Sequence, residues 1–421
     1  MKRDSVESSP DGLLSAKMRR YGLKILMVNK FLYPKGGAET YMLLLGNNLA
    51  SRGHKVEYFG MYHPDNIVGN QWNLYTKPVD FHKQGRRANL VNPWKIICSS
   101  EAGRKMEKLL REFQPDVVHI NNFNYQLTPS ILLAVEKYRK KEQKTVKVVY
   151  TAHDSQLVCP NHYLYQPLQK KACDACLTGG FANCVRKKCI HNSTLRSFLG
   201  AMEGWYWKRR KVYGILDVIL CPSAFMKKAL DTNPLLASKT VYLQNFVNPT
   251  ACSDDKQGDY VLYFGRYSEE KGIETLLEVC KELPQIPFVF AGSGPLEELI
   301  RDIPNVQNIG FLRGKALQRT IRGARFSVCP SECNENCPLS VMESIMNGTP
   351  VLGTKRGGIP ELIEEGKTGW LIEAGEKEQL REKILEIWGS SEPEKFSDFC
   401  RNVTFLSLEE YEKKLLQFYT V

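Results

Sequence analysis

The sequence predicts an α/β chain built from two doubly wound domains in tandem. Three observations carry that expectation. At 421 residues the chain is long for one hydrophobic core. Short β-branched runs alternate with longer helix-patterned stretches, the rhythm of open, mainly parallel sheets. Turn formers crowd into Asn245–Asp259 and divide that rhythm in two. The expected organisation is a tail over 1–22, a first domain over 23–245, a linker over 246–258, a second domain over 259–392 and a closing helix over 393–421.

KILMVN from Lys24 reads as a buried strand, Glu39–Arg52 as a helix with Tyr41, Leu44, Leu45 and Leu49 at helical spacing, and KVEYFG as the next strand. Asp116–Ile120, Val146–Thr151 and Val218–Cys221 repeat the strand signal. The second series runs YVLYFGR, helix Ile273–Glu282, FVFAGSG, helix Leu296–Asp302, VQNIGF, helix Lys315–Arg322, FSVCPS, helix Leu339–Asn347 and PVLGT. Phe405, Leu408, Tyr411, Leu415 and Phe418 are spaced for the closing helix.

Composition narrows the class. With 43% apolar and 25% charged residues, the chain is neither disordered, collagenous nor coiled-coil. No apolar run approaches the roughly 18 residues a membrane span needs, and the first 22 residues lack the apolar stretch of a signal peptide. The expected location is therefore cytoplasmic, with contact at the inner face of the cell membrane left open. Residues 1–250 carry 38 Lys and Arg against 18 Asp and Glu, a net +20, whereas residues 251–421 carry 20 against 28, a net −8. A basic front half points to an anionic partner: a phosphorylated substrate, a lipid headgroup surface or nucleic acid.

In doubly wound sheets ligands bind beyond the carboxyl ends of the strands, so chemistry is sought in the loops that leave them. The loop after the first strand, NKFLYPKGGAETY, places Gly36 and Gly37 immediately before a helix, where backbone N–H groups can face an anion. GRYSEEKG brings Arg266 and Lys271 to one strand exit, either as a clamp on a pyrophosphate or as solvated surface charge. ENCPLSVME sets Glu335 on a loop and Glu343 inside the following helix. Pro338 in its first turn leaves the N–H groups of Leu339 and Ser340 free for phosphate. His153, in TAHD, closes the strand VKVVY.

Taken in order, these segments resemble glycosyltransferase family 4, the retaining nucleotide-sugar transferases of the GT-B fold, two Rossmann-like domains facing a cleft. The likeness runs from Lys24 to about Ala374 through KGGAE, RGHKV, PDVVH, TAHD, CPSAFMKKAL, GRYSEEKG, AGSGPLEEL and the block from SECNENCPLSVMESIMNGTPVLGT to GGIPELIEEGKTGWLI. It implies that the first domain binds acceptor and the second a nucleotide diphosphate sugar. Arg266 and Lys271 would then neutralise the leaving diphosphate, and Leu339 and Ser340 would donate N–H groups to it. Glu335 would hold the donor sugar and Glu343 the ribose. Gly37 would lie by the diphosphate or the reacting sugar, and His153 by the transferred sugar. The resemblance further implies metal-independent catalysis with no required cofactor, and a glycan acceptor, lipid-linked, in capsule, O-antigen or exopolysaccharide synthesis; the alternatives are a GT-B transferase for a soluble small-molecule acceptor and a non-catalytic nucleotide-sugar-binding protein. One departure is Asn-Cys-Pro after Glu335 where many relatives carry Gly-Phe-Gly; it leaves the donor sugar open.

Two further features stand out; the first, a cysteine-rich insert, resembles the insertion of some bacterial surface-polysaccharide members of the family, which implies a part in the acceptor site. Of 13 cysteines, Cys159, Cys173, Cys176, Cys184 and Cys189 fall within one insert, residues 159–189. Their number satisfies a tetrahedral structural zinc site, although the spacing is irregular and leaves the four ligands unassigned. Beyond it Phe198, Trp205, Tyr206, Trp207 and Tyr213 interleave with Lys208, Arg209, Arg210 and Lys211. That stretch suits an anionic membrane surface or, for the rings, packing beneath the first domain. No nucleic-acid-binding motif accompanies it, and no nucleic-acid partner is expected.

Overall fold

A computed structural model describes residues 22–78, 96–247 and 258–420. All of the expected tail but Gly22, and all of the linker but Phe246, Val247 and Gly258, lie outside the described residues.

The first sheet comprises β1 (Lys24–Asn29), β2 (Lys55–Phe59), β3 (Val117–Asn122) and β4 (Lys147–Thr151). After a small hairpin, β5 (Tyr165–Gln166) and β6 (Lys171–Ala172), it is completed by β7 (Val218–Cys221) and β8 (Thr240–Tyr242). Its six strands are parallel and ordered β2-β1-β3-β4-β7-β8. The second sheet holds β9 (Val261–Arg266), β10 (Phe288–Ser293), β11 (Val306–Asn308), β12 (Phe326–Cys329), β13 (Val351–Thr354) and β14 (Gly369–Ile372), all parallel, ordered β11-β10-β9-β12-β13-β14. Both are doubly wound, and the second has the strand order of dinucleotide-binding folds.

Period-two alternation builds the cores. Along β1, Leu26 and Val28 enter one hydrophobic cluster and Ile25 and Met27 another, so both faces are covered, as parallel sheets require. The helix Gly37–Ser51 buries Tyr41, Met42, Leu45 and Leu49, while Leu44 faces outward at 37% exposure. At 100° per residue the i, i+4 ladder 41–45–49 drifts toward Met42 and away from Leu44. Leu296–Asp302, expected as a helix, forms only a 3-10 turn at Glu297–Ile300, bracketed by Pro295 and Pro304.

The carboxyl-terminal segment is two helices, not one. Glu392–Arg401 stays on the second domain, where Ser397 Oγ donates to Gly348 O at 2.6 Å. Leu408–Thr420 crosses back and buries Tyr411, Leu415 and Tyr419 beneath the first sheet. Its start is a capping box: Ser407 Oγ accepts from Glu410 N at 3.2 Å and Glu410 Oε2 from Ser407 N at 2.9 Å. The Ser-x-x-Glu signal specified a new helix start inside the amphipathic run.

Candidate active site

A doubly wound sheet opens a crevice where neighbouring strands send their loops to opposite faces. In the second sheet that point lies between β9 and β12, and their exit loops are GRYSEEKG and SECNENCP. The Lys271 ammonium pairs with the buried Glu335 carboxylate across this gap, and Ser331 Oγ donates to the same Oε1 at 2.5 Å. Burial alone would lower the Lys271 pKa; the facing Glu335 charge outweighs it and holds the amine protonated well above its ordinary range. Arg266, at the end of β9, is exposed and makes no ion pair among the described residues.

The helix Leu339–Met346 starts at the same crevice. Pro338 is its N-cap, with ψ 116°, so Leu339 is the first helical residue, as the expected helix Leu339–Asn347 has it. The first turn-forming bond runs from Val341 N to Pro338 O at 3.1 Å, one step beyond the N–H groups of Leu339 and Ser340. On this helix the half-buried Glu343 side chain has no hydrogen bond or ion pair among the described residues, and burial pushes its pKa up to about 7. The loop before it rests on Gly357, whose φ is +57° and whose added Cβ would stand 1.9 Å from Glu335 O; only glycine fits.

From the first sheet, the segments after β1 and β4 approach this crevice, Gly37 opposite Leu339 and Ala152 O accepting from Asn336. His153, just past β4, donates Nε2–H to Asn121 Oδ1 at 2.9 Å and meets the Tyr41 ring edge-on at 4.8 Å between centroids. Desolvation drops its pKa to about 3, so the ring is neutral. Beneath it, His119 links Thr151 Oγ1 at 2.8 Å to Tyr419 OH at 2.6 Å, tying the crossing helix to the end of β4, two residues before His153. Gly37 opens its helix directly opposite Leu339: a Cβ there would lie 3.8 Å from Leu339 Cδ1. Gly37, Leu339 and Ser340 thus lie at helix starts and Lys271 and Glu335 on the segments that leave β9 and β12; Arg266 ends β9, His153 follows β4, and Glu343 lies inside the helix Leu339–Met346.

Sequence reasoning passed over several cleft residues. Lys30 follows β1 and donates to Asn124 Oδ1 at 2.9 Å; burial lowers its pKa against the opposing pull of Asp154 and Glu39. Asn336 spans the two domains, donating to Ala152 O at 2.6 Å and accepting from Ser223 Oγ at 2.7 Å. Glu361 accepts from Ala224 N and Phe225 N, each at 2.7 Å, capping a first-domain helix from the second domain. The available signal was position: each stands on a strand-exit loop or in the GGIPE segment.

The cysteine insert reaches the same cleft. Asn334 Nδ2 donates to Leu164 O at 2.9 Å, and Lys170 pairs with Glu274 at 2.5 Å. Cys159, Cys173, Cys176, Cys184 and Cys189 line one small cavity with Asn161 and Tyr165, so all five sequence candidates are gathered. Lys187 Nζ donates to Cys173 Sγ at 3.2 Å, and Cys159 Sγ donates to Asn161 Oδ1 at 2.9 Å. Their thiols stand around the cavity wall: among the described residues no three His, Cys, Asp or Glu side chains converge closely enough to hold a metal ion.

Residues 35–251 match the family model for Glycosyltransferase Family 4, just over half of the chain. The chain belongs to glycosyltransferase family 4. Residues 252–401 match the model for glycosyl transferases group 1. The chain is 28% identical over 209 residues to an uncharacterized glycosyltransferase, MJ1178, of Methanocaldococcus jannaschii, covering 48% of this chain and 58% of that protein. It is 32% identical over 200 residues to the sulfoquinovosyl transferase SQD2 of Arabidopsis thaliana, covering 42% and 39%. With the amylovoran biosynthesis glycosyltransferase AmsK of Erwinia amylovora it shares 29% identity over 143 residues, 30% of this chain and 35% of that one. The alignments thus span less than two thirds of these relatives. Among solved structures, Anabaena HepE in complex with UDP and glucose superposes with a TM-score of 0.62 at 15% identity, covering 94% of this chain and 98% of that one. Sucrose-phosphate synthase of Thermosynechococcus elongatus superposes with a TM-score of 0.66 at 16% identity, covering 94% and 98%. These likenesses establish the GT-B fold for this family 4 chain.

Proposed function

We propose that this chain is a retaining glycosyltransferase that moves a hexose from a nucleotide diphosphate sugar to a glycan acceptor in surface polysaccharide synthesis. The observation that carries the reading is the apposition of a cationic, N–H-rich crevice on the second domain with neutral His153 and the bare Gly37 backbone on the first. Arg266 and Lys271 would offset the charge that grows on the diphosphate as the glycosidic bond breaks, where a preorganised cation lowers the barrier most. The first N–H groups of the helix Leu339–Met346 would meet the same phosphate.

Glu343, without a polar partner of its own, would accept from the ribose hydroxyls, and Glu335, oriented by Lys271 and Ser331, from those of the sugar. His153 would lie by the sugar; with Nε2–H given to Asn121, its Nδ1 would accept a sugar hydroxyl without adding positive charge beside an oxocarbenium-like centre. Transfer would proceed on one face without a divalent metal. That HepE binds UDP and glucose and that AmsK is named for amylovoran biosynthesis support the substrate classes. The cysteine insert would serve the fold, held against the donor loops where Asn334 donates to Leu164 O; a structural zinc there would require four of the five thiols to move inward from the cavity wall. NMR of the product anomer tests the reaction. Retention of the donor's configuration is expected, and inversion overturns the reading.

A further inference from the structure

The helix Thr194–Arg209 separates the aromatic and basic stretch into two faces. Its inner face carries Ser197, Gly200, Ala201 and Trp207, all buried, and Trp207 Nε1 donates to Ile97 O at 2.8 Å. Its outer face carries Leu195 at 68% exposure, Phe198 at 46% and Trp205 at 40%, with half-buried Met202 between them. Steps of three, four and three residues place these four side chains on one stripe along the helix. Large apolar groups so aligned are seldom left in water without a partner.

Charge identifies the partner. Residues 175–216 contain eight Lys and Arg and one acid, Glu203. Glu203 is half-buried, and burial pushes its pKa up to about 8, so it contributes little negative charge near neutrality. Arg196, Lys208, Arg209 and Lys211 are exposed and form no ion pair among the described residues. An apolar stripe with rings flanked by unpaired cations complements a layer of anionic headgroups over acyl chains.

We propose that the outer face of the helix Thr194–Arg209 docks the chain on an anionic lipid bilayer, with Leu195, Phe198, Met202 and Trp205 at headgroup depth and Lys208, Arg209 and Lys211, at its carboxyl-terminal end and just beyond, on the phosphates. The helix sits on the first domain, directly after the cysteine insert that lines the cleft, so docking would present the cleft to a lipid-linked acceptor. This surface stands independently of the donor reading, because none of its residues faces the donor loops.

The test is co-sedimentation of the full chain with phosphatidylcholine vesicles, with and without phosphatidylglycerol, alongside Phe198→Ser/Trp205→Ser and Arg209→Gln/Lys211→Gln variants. Binding is expected only with phosphatidylglycerol. The paired charge removal should weaken it about thirtyfold, at roughly a factor of five per cation. The paired aromatic removal should weaken it at least about tenfold. Unchanged unfolding midpoints would show that both variants fold. Equal binding to neutral vesicles, no binding, or binding that both variants retain overturns the proposal. So does capture by an acidic polymer such as RNA in the absence of lipid binding.

Discussion

Replacing Lys271 by methionine tests the centre of the donor crevice. The substitution keeps the length of the side chain and removes its charge, leaving Glu335 buried beside Ser331 alone. Breaking a buried pair from one side costs about 3–5 kcal/mol. The Lys271 side chain is 30% exposed and that of Glu335 11%, so solvent screening brings the expected loss to about 2–3 kcal/mol. In a domain of this size that lowers the unfolding midpoint by roughly 5–10 °C. Adding Glu335→Leu removes the stranded carboxylate and should restore most of the midpoint, yet stabilisation by a nucleotide sugar should stay absent. Calorimetric scans of the three proteins with and without donor read both quantities. A single variant that keeps its midpoint and its donor response would refute the reasoning, as would a double variant that regains donor binding.

Three further outcomes follow from particular residues. Gly37→Val should leave the unfolding midpoint unchanged, since the site is exposed, but abolish donor stabilisation by filling the gap to Leu339; a normal donor response would count against the placement. The Glu203 pKa is raised from 4.5 to about 8, so the folded state holds its proton more tightly than the unfolded state does. Stability is therefore fully present below about pH 4.5 and lost as pH rises toward 8. Denaturant titrations of Glu203→Gln should show a flatter profile over that window, and an unchanged slope would contradict the burial. Metal analysis of the purified chain should return one zinc, released by Cys176→Ser or a strong chelator with a drop in midpoint; a metal-free, equally stable chain excludes the thiolate site.

Much of the fold was legible because parallel strands buried on both faces read as apolar runs. KILMVN, VILC and FVFAGS each became the strand their composition announced. The break in the closing segment was less visible. Hydrophobic spacing continues through Phe405 and Leu408 while the chain changes domain, and only the capping box at Ser407 marks the new start. Around the crevice, strand-exit motifs pointed to Arg266 at the end of β9, Lys271 in the 3-10 turn after it, Glu335 after β12 and His153 after β4. What the sequence could not reveal were contacts made between domains, because Asn336 and Ala152 are neighbours in space across 184 positions of chain. The aromatic and basic stretch resolved in the same way. Composition listed its rings together, and only the helical phase separated buried Trp207 from exposed Trp205.

The most direct test of the central claim is thermal stabilisation of the wild-type chain by UDP-, GDP- and ADP-sugars, repeated on the Lys271→Met/Glu335→Leu variant. The account predicts a selective rise in midpoint with one nucleotide class for the wild type and none for the variant, because a ligand held by the native crevice stabilises the native state. An equal rise in both proteins, or no rise with any donor in a folded wild type, would contradict it.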